Sequence, residues 1–239
     1  MTSSYKRILL KVSGEALAGD NSFGIEPPFL QGVARQIADL SRSGTQVAIV
    51  VGGGNIFRGM AGAADGTDRV TADLMGMLGT MINALALSNA ISRQGVKSKP
   101  FSAATMPSVA DTFTARDAKQ ALEEGFVVVL GGGTGNPFFT TDTAATLRAI
   151  ELECDVVLKG TKVDGVYSDD PMKNPDAVRY SQIGYDEVIS RNLKVMDTAA
   201  FALARDSHMP IIVYALDTPE GLSGVLAGRG LSTLVGDPT

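Results

Sequence analysis

Two lysines and an aspartate carry the chemistry that this sequence offers. Lys11 lies near the end of an apolar run, Arg7 to Val12, and Lys159 closes another, Asp155 to Lys159. Asp142 ends the stretch Gly131-Gly132-Gly133-Thr134-Gly135-Asn136-Pro137-Phe138-Phe139-Thr140-Thr141-Asp142. Ammonium groups and bare backbone N–H groups together make an anion site. Paired lysines suit phosphoryl transfer, where catalysis is mostly positioning and neutralising charge on the moving group. Asp142 would hold both lysines by pairing with each. Either lysine alone would read as a solvated surface charge, so the chemical reading rests on their meeting.

Strand ends must bring them together. Phe126 to Leu130 reads as a buried strand and Thr143 to Cys154 as a helix, so the glycine-rich stretch joins a strand end to a helix start. Open α/β sheets hold ligands at such places, and helix N-terminal N–H groups favour anions there. A helix cap would account for one threonine or aspartate, but not for a stretch this rich in glycine and threonine. Gln46 to Val51 reads as another strand and delivers a second glycine turn, Gly52-Gly53-Gly54-Asn55, while Gly14 follows the Lys11 strand. If these strands are parallel, their four ends share one edge of the sheet.

The remaining pattern supports that arrangement. Pro27-Pro28 opens a helix that Gly44 ends, Gly62 to Gly66 is a small polar loop, and Lys99 to Ala103 reads as a strand. Asp68 to Gln94 is a long helix rich in Met, Leu and Ala, apolar around much of its circumference, and so expected in the core or against a partner subunit. Asp111 to Glu124 reads as a helix. After Lys159 comes a long polar segment, Gly160 to Tyr180, then helices at Tyr185 to Arg191 and Asp197 to Ser207, a strand at Ile211 to Leu216, a short helix at Pro219 to Ala227 and a last strand at Thr233 to Val235. Strands alternating with helices predict an α/β fold with a mainly parallel central sheet and helices on both faces.

Composition narrows the chemistry. The 239 residues suffice for one large core. Cys154 is the only cysteine, which excludes an internal disulfide and a cysteine-cluster metal site. His208 is the only histidine and falls between a helix and the next strand, where a cation suits the helix C-terminus. The net charge of −5 disfavours nucleic acid as the main partner, though not small phosphate ligands. No unbroken run of about 18 apolar residues is present, so no membrane span is expected. The first residues lack a signal-peptide pattern, so a cytoplasmic location is expected. Neither G-x-x-x-x-G-K-[ST] nor a complete G-x-G-x-x-G occurs. Without a candidate histidine base, the favoured acceptor is one already anionic at neutral pH, a phosphate or a carboxylate.

These residues resemble the amino-acid-kinase family, and within it the bacterial uridylate kinases, over nearly the whole chain. The resemblance is carried by Tyr5 to Leu17, Gly52 to Gly59, Gly133 to Asp142, Asp155 to Lys159, Thr161 to Tyr167 and Leu193 to Asp197. The string Gly135-Asn136-Pro137-Phe138-Phe139-Thr140-Thr141-Asp142 is its most specific part. It implies a three-layer αβα sandwich forming a single domain over 1–239, with an acceptor-binding part to about residue 153 and an ATP-binding part beyond. It implies transfer of the ATP γ-phosphoryl to UMP, with Mg2+ delivered with ATP. Lys11, Lys159 and Asp142 would be catalytic. ATP would meet Lys11, Val12, Ser13, Gly14, Gly54, Arg58, Thr161, Tyr167 and Asp170. UMP would meet Gly53, Asp73, Thr134, Gly135, Asn136, Pro137, Phe138, Phe139, Thr140 and Thr141. The resemblance further implies a homohexamer, inhibition by UTP, and a GTP effector whose action here is weak or altered. Where arginines would clamp GTP, this chain shows Ser88-Asn89 and Phe126, with Lys99 the nearest basic residue. A sister kinase acting on a carboxylate such as acetylglutamate, or on carbamate, shares the lysines and glycine turns; Thr134 to Thr141 with Asp73 speak for UMP. A nucleotide-sensing regulator without turnover is the other alternative, and the three catalytic candidates speak against it.

Overall fold

A computed structural model describes residues 5–57, 66–193, 195–216 and 221–237. Its strands are β1 (Arg7–Val12), β2 (Gln46–Val51), β3 (Ser98–Ser102), β4 (Asp111–Thr112), β5 (Val127–Gly131), β6 (Val156–Thr161), β7 (Gln182–Ile183), β8 (Ile211–Ala215) and β9 (Ser232–Val235). They form one sheet in the order β4-β3-β5-β2-β1-β6-β8-β9-β7. Every neighbouring pair is parallel except β8 and β9, which run antiparallel.

The period-two alternation of side chains makes the three layers. Ile8, Leu10 and Val12 of β1 face one side, where they pack with Val47, Ile49 and Val51 of β2. That side is covered by α2 (Pro27–Arg42), α3 (Arg69–Arg93) and α8 (Gly221–Leu226). Leu9 faces the other side with Ala48, Val50, Val128 and Val157. There the cover is α4 (Ala115–Glu123), α5 (Thr141–Glu151), α6 (Tyr185–Ser190) and α7 (Thr198–Asp206). Helix α2 shows why: Leu30, Val33, Ala34, Ile37 and Ala38 recur at helical spacing and are all buried. Gly44, at φ 95°, turns the chain out of that helix into β2.

The long helix predicted at Asp68 to Gln94 is α3, with Asp68 as its cap accepting from the Thr71 N–H. By length and composition it is apolar enough to cross a bilayer, but its Ala72, Met81, Ala84, Leu87 and Ile91 are in the core. Its other face exposes Val70, Leu74, Leu78, Ile82 and Leu85.

Several boundaries differ from the sequence reading. The helix expected over Asp111 to Glu124 begins only at Ala115, because Asp111 and Thr112 pair with β3 and Thr114 caps the helix through the Asp117 N–H. Gly14–Leu17, just beyond β1, forms a short helix, α1. Strand β3 begins at Ser98 rather than Lys99 and ends at Ser102. Helix α5 begins at Thr141 rather than Thr143, since Thr140 caps it, and ends before Glu153, which takes φ 56°. Strand β7 went unread, being too short to show alternation. The predicted loop at Gly62 to Gly66 lies, except for its last residue, outside the described residues, as does the start of the helix expected at Pro219.

Candidate active site

Strands β1 and β6 are adjacent and parallel, and their register sets Lys11 opposite Lys159. Both lysines follow the inward residues of the α5 face, so both point toward the start of that helix. Thr140 caps α5 by accepting from the Asp142 and Thr143 N–H groups, which puts the Asp142 carboxylate over the strand ends. Lys159 Nζ donates to Asp142 Oδ2 at 2.6 Å. Lys11 Nζ lies 2.8 Å from Oδ1, forming an ion pair with it. The side chains are 9 %, 10 % and 14 % exposed for Lys11, Lys159 and Asp142, so the charges act through little water.

Electrostatics assign the roles. For Asp142 burial opposes the charged form, yet Lys11 and Lys159 together outweigh it and hold the carboxyl below its ordinary range. An aspartate so held is a poor base; it orients lysines. Burial pushes Lys159 down to about 8, against the attraction of Asp142 and with the repulsion of Lys11.

The glycine turns stack beside this cluster. A Cβ on Gly14 would lie 2.5 Å from Asn55 Oδ1 and 2.8 Å from the Gly54 N; a Cβ on Gly52 would lie 2.8 Å from the Gly14 N. Only glycine allows the two backbones this approach. Beneath them Asn55 and Asn83, 1 % and 0 % exposed, form a buried amide pair. Asn83 Nδ2 donates to the Gly52 carbonyl at 2.7 Å and to Asn55 Oδ1 at 2.6 Å, and Asn55 Nδ2 donates to the Gly24 carbonyl at 2.7 Å.

The loop from Gly131 to Thr140 is held from three sides. Asp73 Oδ2 accepts from the Phe138 N–H at 2.8 Å, supporting a residue at φ 72°, and pairs with Arg69. Thr134 Oγ1 accepts from the Asn136 N–H and donates to its carbonyl, closing a tight turn. Arg148, buried, stacks on Phe113 and directs its guanidinium at the Gly133 and Thr134 carbonyls. Phe138 and Phe139 remain exposed at the rim. Thus Asp73 meets the loop directly, together with Thr134, Asn136 and Phe138.

On the other side of the lysines lies a cleft of about 270 Å³ lined by Lys11, Ser13, Glu15, Lys159, Thr161, Lys162 and Val195, among others. It continues into a second hollow that shares Glu15, Ala16, Thr161, Lys162 and Leu216. Ser13 makes no capping bond from its hydroxyl, whereas Thr161 spends its own on the Val163 N–H and carbonyl. Val12 has its side chain in the core, leaving only its backbone at the site. Tyr167 and Asp170 are not among the walls of this cleft: Tyr167 donates to Asp164, and Asp170 caps the following turn at Met172. Arg58 lies outside the described residues.

Asp197 joins the cluster with no role assigned to it from the sequence. Asp197 caps α7, accepts from Thr143 Oγ1 at 2.9 Å and from Thr140 Oγ1, and adds to the negative field at Lys159. An aspartate before an apolar helical run reads as a cap; nothing local shows that it reaches α5.

Three layers around a mainly parallel sheet, with a lysine pair at its strand ends, suit phosphoryl transfer. The model of the amino acid kinase family matches residues 6–215, and the chain belongs to that family. It is 51 % identical over 235 residues to the uridylate kinase of Roseobacter denitrificans, covering 98 % of this chain and 97 % of that protein. Among solved structures it is similar to the UMP kinase of Bacillus anthracis, with TM-score 0.94, 38 % identity, and 98 % and 97 % of the two chains covered. It is also similar to the UMP kinase of Ureaplasma parvum, with TM-score 0.92, 38 % identity, and 97 % and 99 % covered.

Proposed function

We propose that this chain is a UMP kinase that moves the γ-phosphoryl of ATP to the phosphate of UMP, giving UDP and ADP for pyrimidine nucleotide synthesis. The carrying observation is the pair of ammonium groups of Lys11 and Lys159 at adjacent strand ends, both held by Asp142. An oxygen of the acceptor phosphate attacks the γ-phosphorus; that O–P bond forms as the bond to the leaving ADP oxygen breaks. The attacking oxygen is already anionic, so no proton need be removed, which fits a site whose one central carboxylate is committed to lysines. The lysines neutralise charge on the transferring group, an electrostatic contribution that grows where water is excluded.

In this reading the cleft beside Ser13 and Thr161 takes ATP, and the Gly131 to Thr141 loop with Asp73 and Gly53 takes UMP. The acceptor part then runs to about residue 153 and the ATP part follows. Among the described residues no group of three or more His, Cys, Asp or Glu could hold a metal ion. In this reading magnesium arrives on the ATP phosphates, where it would supply further charge neutralisation.

The assembly we propose is a homohexamer, supported by the apolar face of α3 at Val70, Leu74, Leu78, Ile82 and Leu85. UTP, sharing uracil and phosphates with UMP, would inhibit at the acceptor site. GTP would activate weakly or by altered geometry: Lys99 is paired with Asp111 at 2.8 Å, and Ser88 bonds Ser98. We place the enzyme in the cytoplasm.

ADP release from ATP and magnesium, with UMP, CMP, dUMP, AMP, acetylglutamate and carbamate offered separately, tests this reading. Turnover with UMP alone is expected. Turnover only with a carboxylate or carbamate would keep the fold and overturn the acceptor. UMP binding without turnover would make the chain a sensor.

A further inference from the structure

Helix α3 presses on both glycine turns, and one residue touches both. Thr80 is 2 % exposed. Its Oγ1 donates to the Met77 carbonyl at 2.6 Å, one turn back, and so presents a lone pair outward. That lone pair accepts from the buried Gly132 N–H at 2.7 Å. Gly132 sits at φ 79°, and a Cβ there would meet the Ala103 N at 3.0 Å, so the turn out of β5 is packed on its other side. The Thr80 backbone N meanwhile lies 2.9 Å from where a Cβ on Gly53 would stand, with the Gly76 carbonyl at 2.7 Å. The turn after β2 and the turn after β5 therefore rest on the same point of the helix.

We infer that Thr80 is a positioning residue for substrate binding: its hydroxyl fixes the Gly132 N–H and thereby the start of the loop from Gly133 to Thr140. This goes deeper into the proposed acceptor site and rests on that reading. The Gly132 N–H, where the chain leaves β5 for the loop, donates to Thr80 Oγ1. Without it, a buried N–H is left unpaired, and the turn regains freedom just where the loop leaves the strand. The loss falls on the acceptor loop and not on the Ser13–Thr161 cleft, whose walls do not include Gly132.

The test compares Thr80→Val, which keeps the shape without the hydroxyl, with Thr80→Ser, which keeps the hydroxyl without the methyl. Binding of UMP and of ADP is measured by titration calorimetry, alongside steady-state kinetics and thermal melts. Thr80→Val should weaken UMP roughly tenfold, as expected for one buried hydrogen bond, and leave ADP unchanged. Thr80→Ser should bind UMP within about twofold of the parent enzyme, whatever its melting temperature. Unchanged UMP affinity in Thr80→Val, or equal weakening of UMP and ADP, overturns the inference while the kinase reading stands on parent turnover. Parent enzyme that binds UMP without turnover overturns the kinase reading, and the affinity comparison still decides for Thr80. If the parent binds no UMP, both fail. A Thr80→Val that does not fold, with a Thr80→Ser that folds and binds UMP poorly, also overturns it.

Discussion

Lys11 and Lys159 are direct partners in the register of β1 and β6, and a single carboxylate, Asp142, holds both. Two like charges side by side repel, and burial penalises each. The arrangement persists because Asp142 sits at a capped helix start aimed between them. The two ammonium groups are thus already organised around negative charge.

Replacing Asp142 by Asn removes that charge and keeps the shape. Two buried ammonium groups then lack their counter-ion, and the cost should be about 3–5 kcal/mol, reduced if one lysine releases its proton. Turnover should fall by on the order of 10²-fold or more, by analogy with the loss of a transition-state donor. Urea unfolding and initial rates on the same preparation measure both. Asp142→Asn with parent stability and parent turnover would mean that the carboxylate orients nothing.

Lys159 gives a pH signature. Its ammonium titrates near 8 in the folded chain, below the unperturbed 10.5, mainly because it is buried. Between those values the unfolded chain binds the proton that the native chain has released. The contribution of this group to stability therefore rises with pH across that window, and below about 8 its charged form costs stability in full. Bound ATP would bring negative charge and pull the pKa back up. At pH near 8, ATP binding should take up a fraction of a proton. Calorimetry in two buffers of different ionisation enthalpy reads it directly. Lys159→Arg, which stays charged, should abolish the uptake; no buffer dependence in the parent enzyme would contradict the burial argument.

The stacked glycine turns predict a contrast between two small substitutions. Gly14→Ala drives a methyl into Asn55 and Gly54, and should cost about 1–3 kcal/mol and weaken ATP binding. Gly32→Ala, within α2 and with nothing inside 4 Å of the new carbon, should gain about 0.5–1 kcal/mol and leave kinetics alone. Equal stability changes would show that the turn has room to relax.

The apolar face of α3 predicts association. Ile82→Glu places a charge in the middle of the exposed stripe and should reduce the assembled mass measured by sedimentation, while the isolated chain stays folded. An unchanged mass would remove this face from the interface.

The candidate cluster was legible because its members stand near element ends: lysines late in apolar runs, an aspartate opening a helix. Parallel strands would bring both lysines to one edge of the sheet, but their direct pairing across β1 and β6 appears only in the fold. What escaped depended on partners remote in sequence. Arg148 reads as an ordinary helical arginine until Phe113 and the loop carbonyls surround it. Asp197 reads as a cap until Thr140 and Thr143 reach it. Thr80 and Asn83 left a trace, polar residues within an apolar helix, but periodicity alone gave them no partner. The lower boundary of α4 was misread for a different reason: Thr114 is a good cap, yet Asp111 before it looks equally good, and only pairing with β3 decides between them.

The neighbouring strands that carry the two lysines are far apart along the chain. Until Lys159 has been synthesised and β6 has docked against β1, the growing polypeptide owns half a phosphate site and no Asp142 bridge. Closing that pair is a long-range event, of the kind that forms late and slowly. Nucleotide binding is therefore a sensor of completed folding: neither an early fragment nor a chain stalled before β6 should capture ATP, and the refolding protein should gain binding in the same kinetic phase that joins the two halves of its sheet.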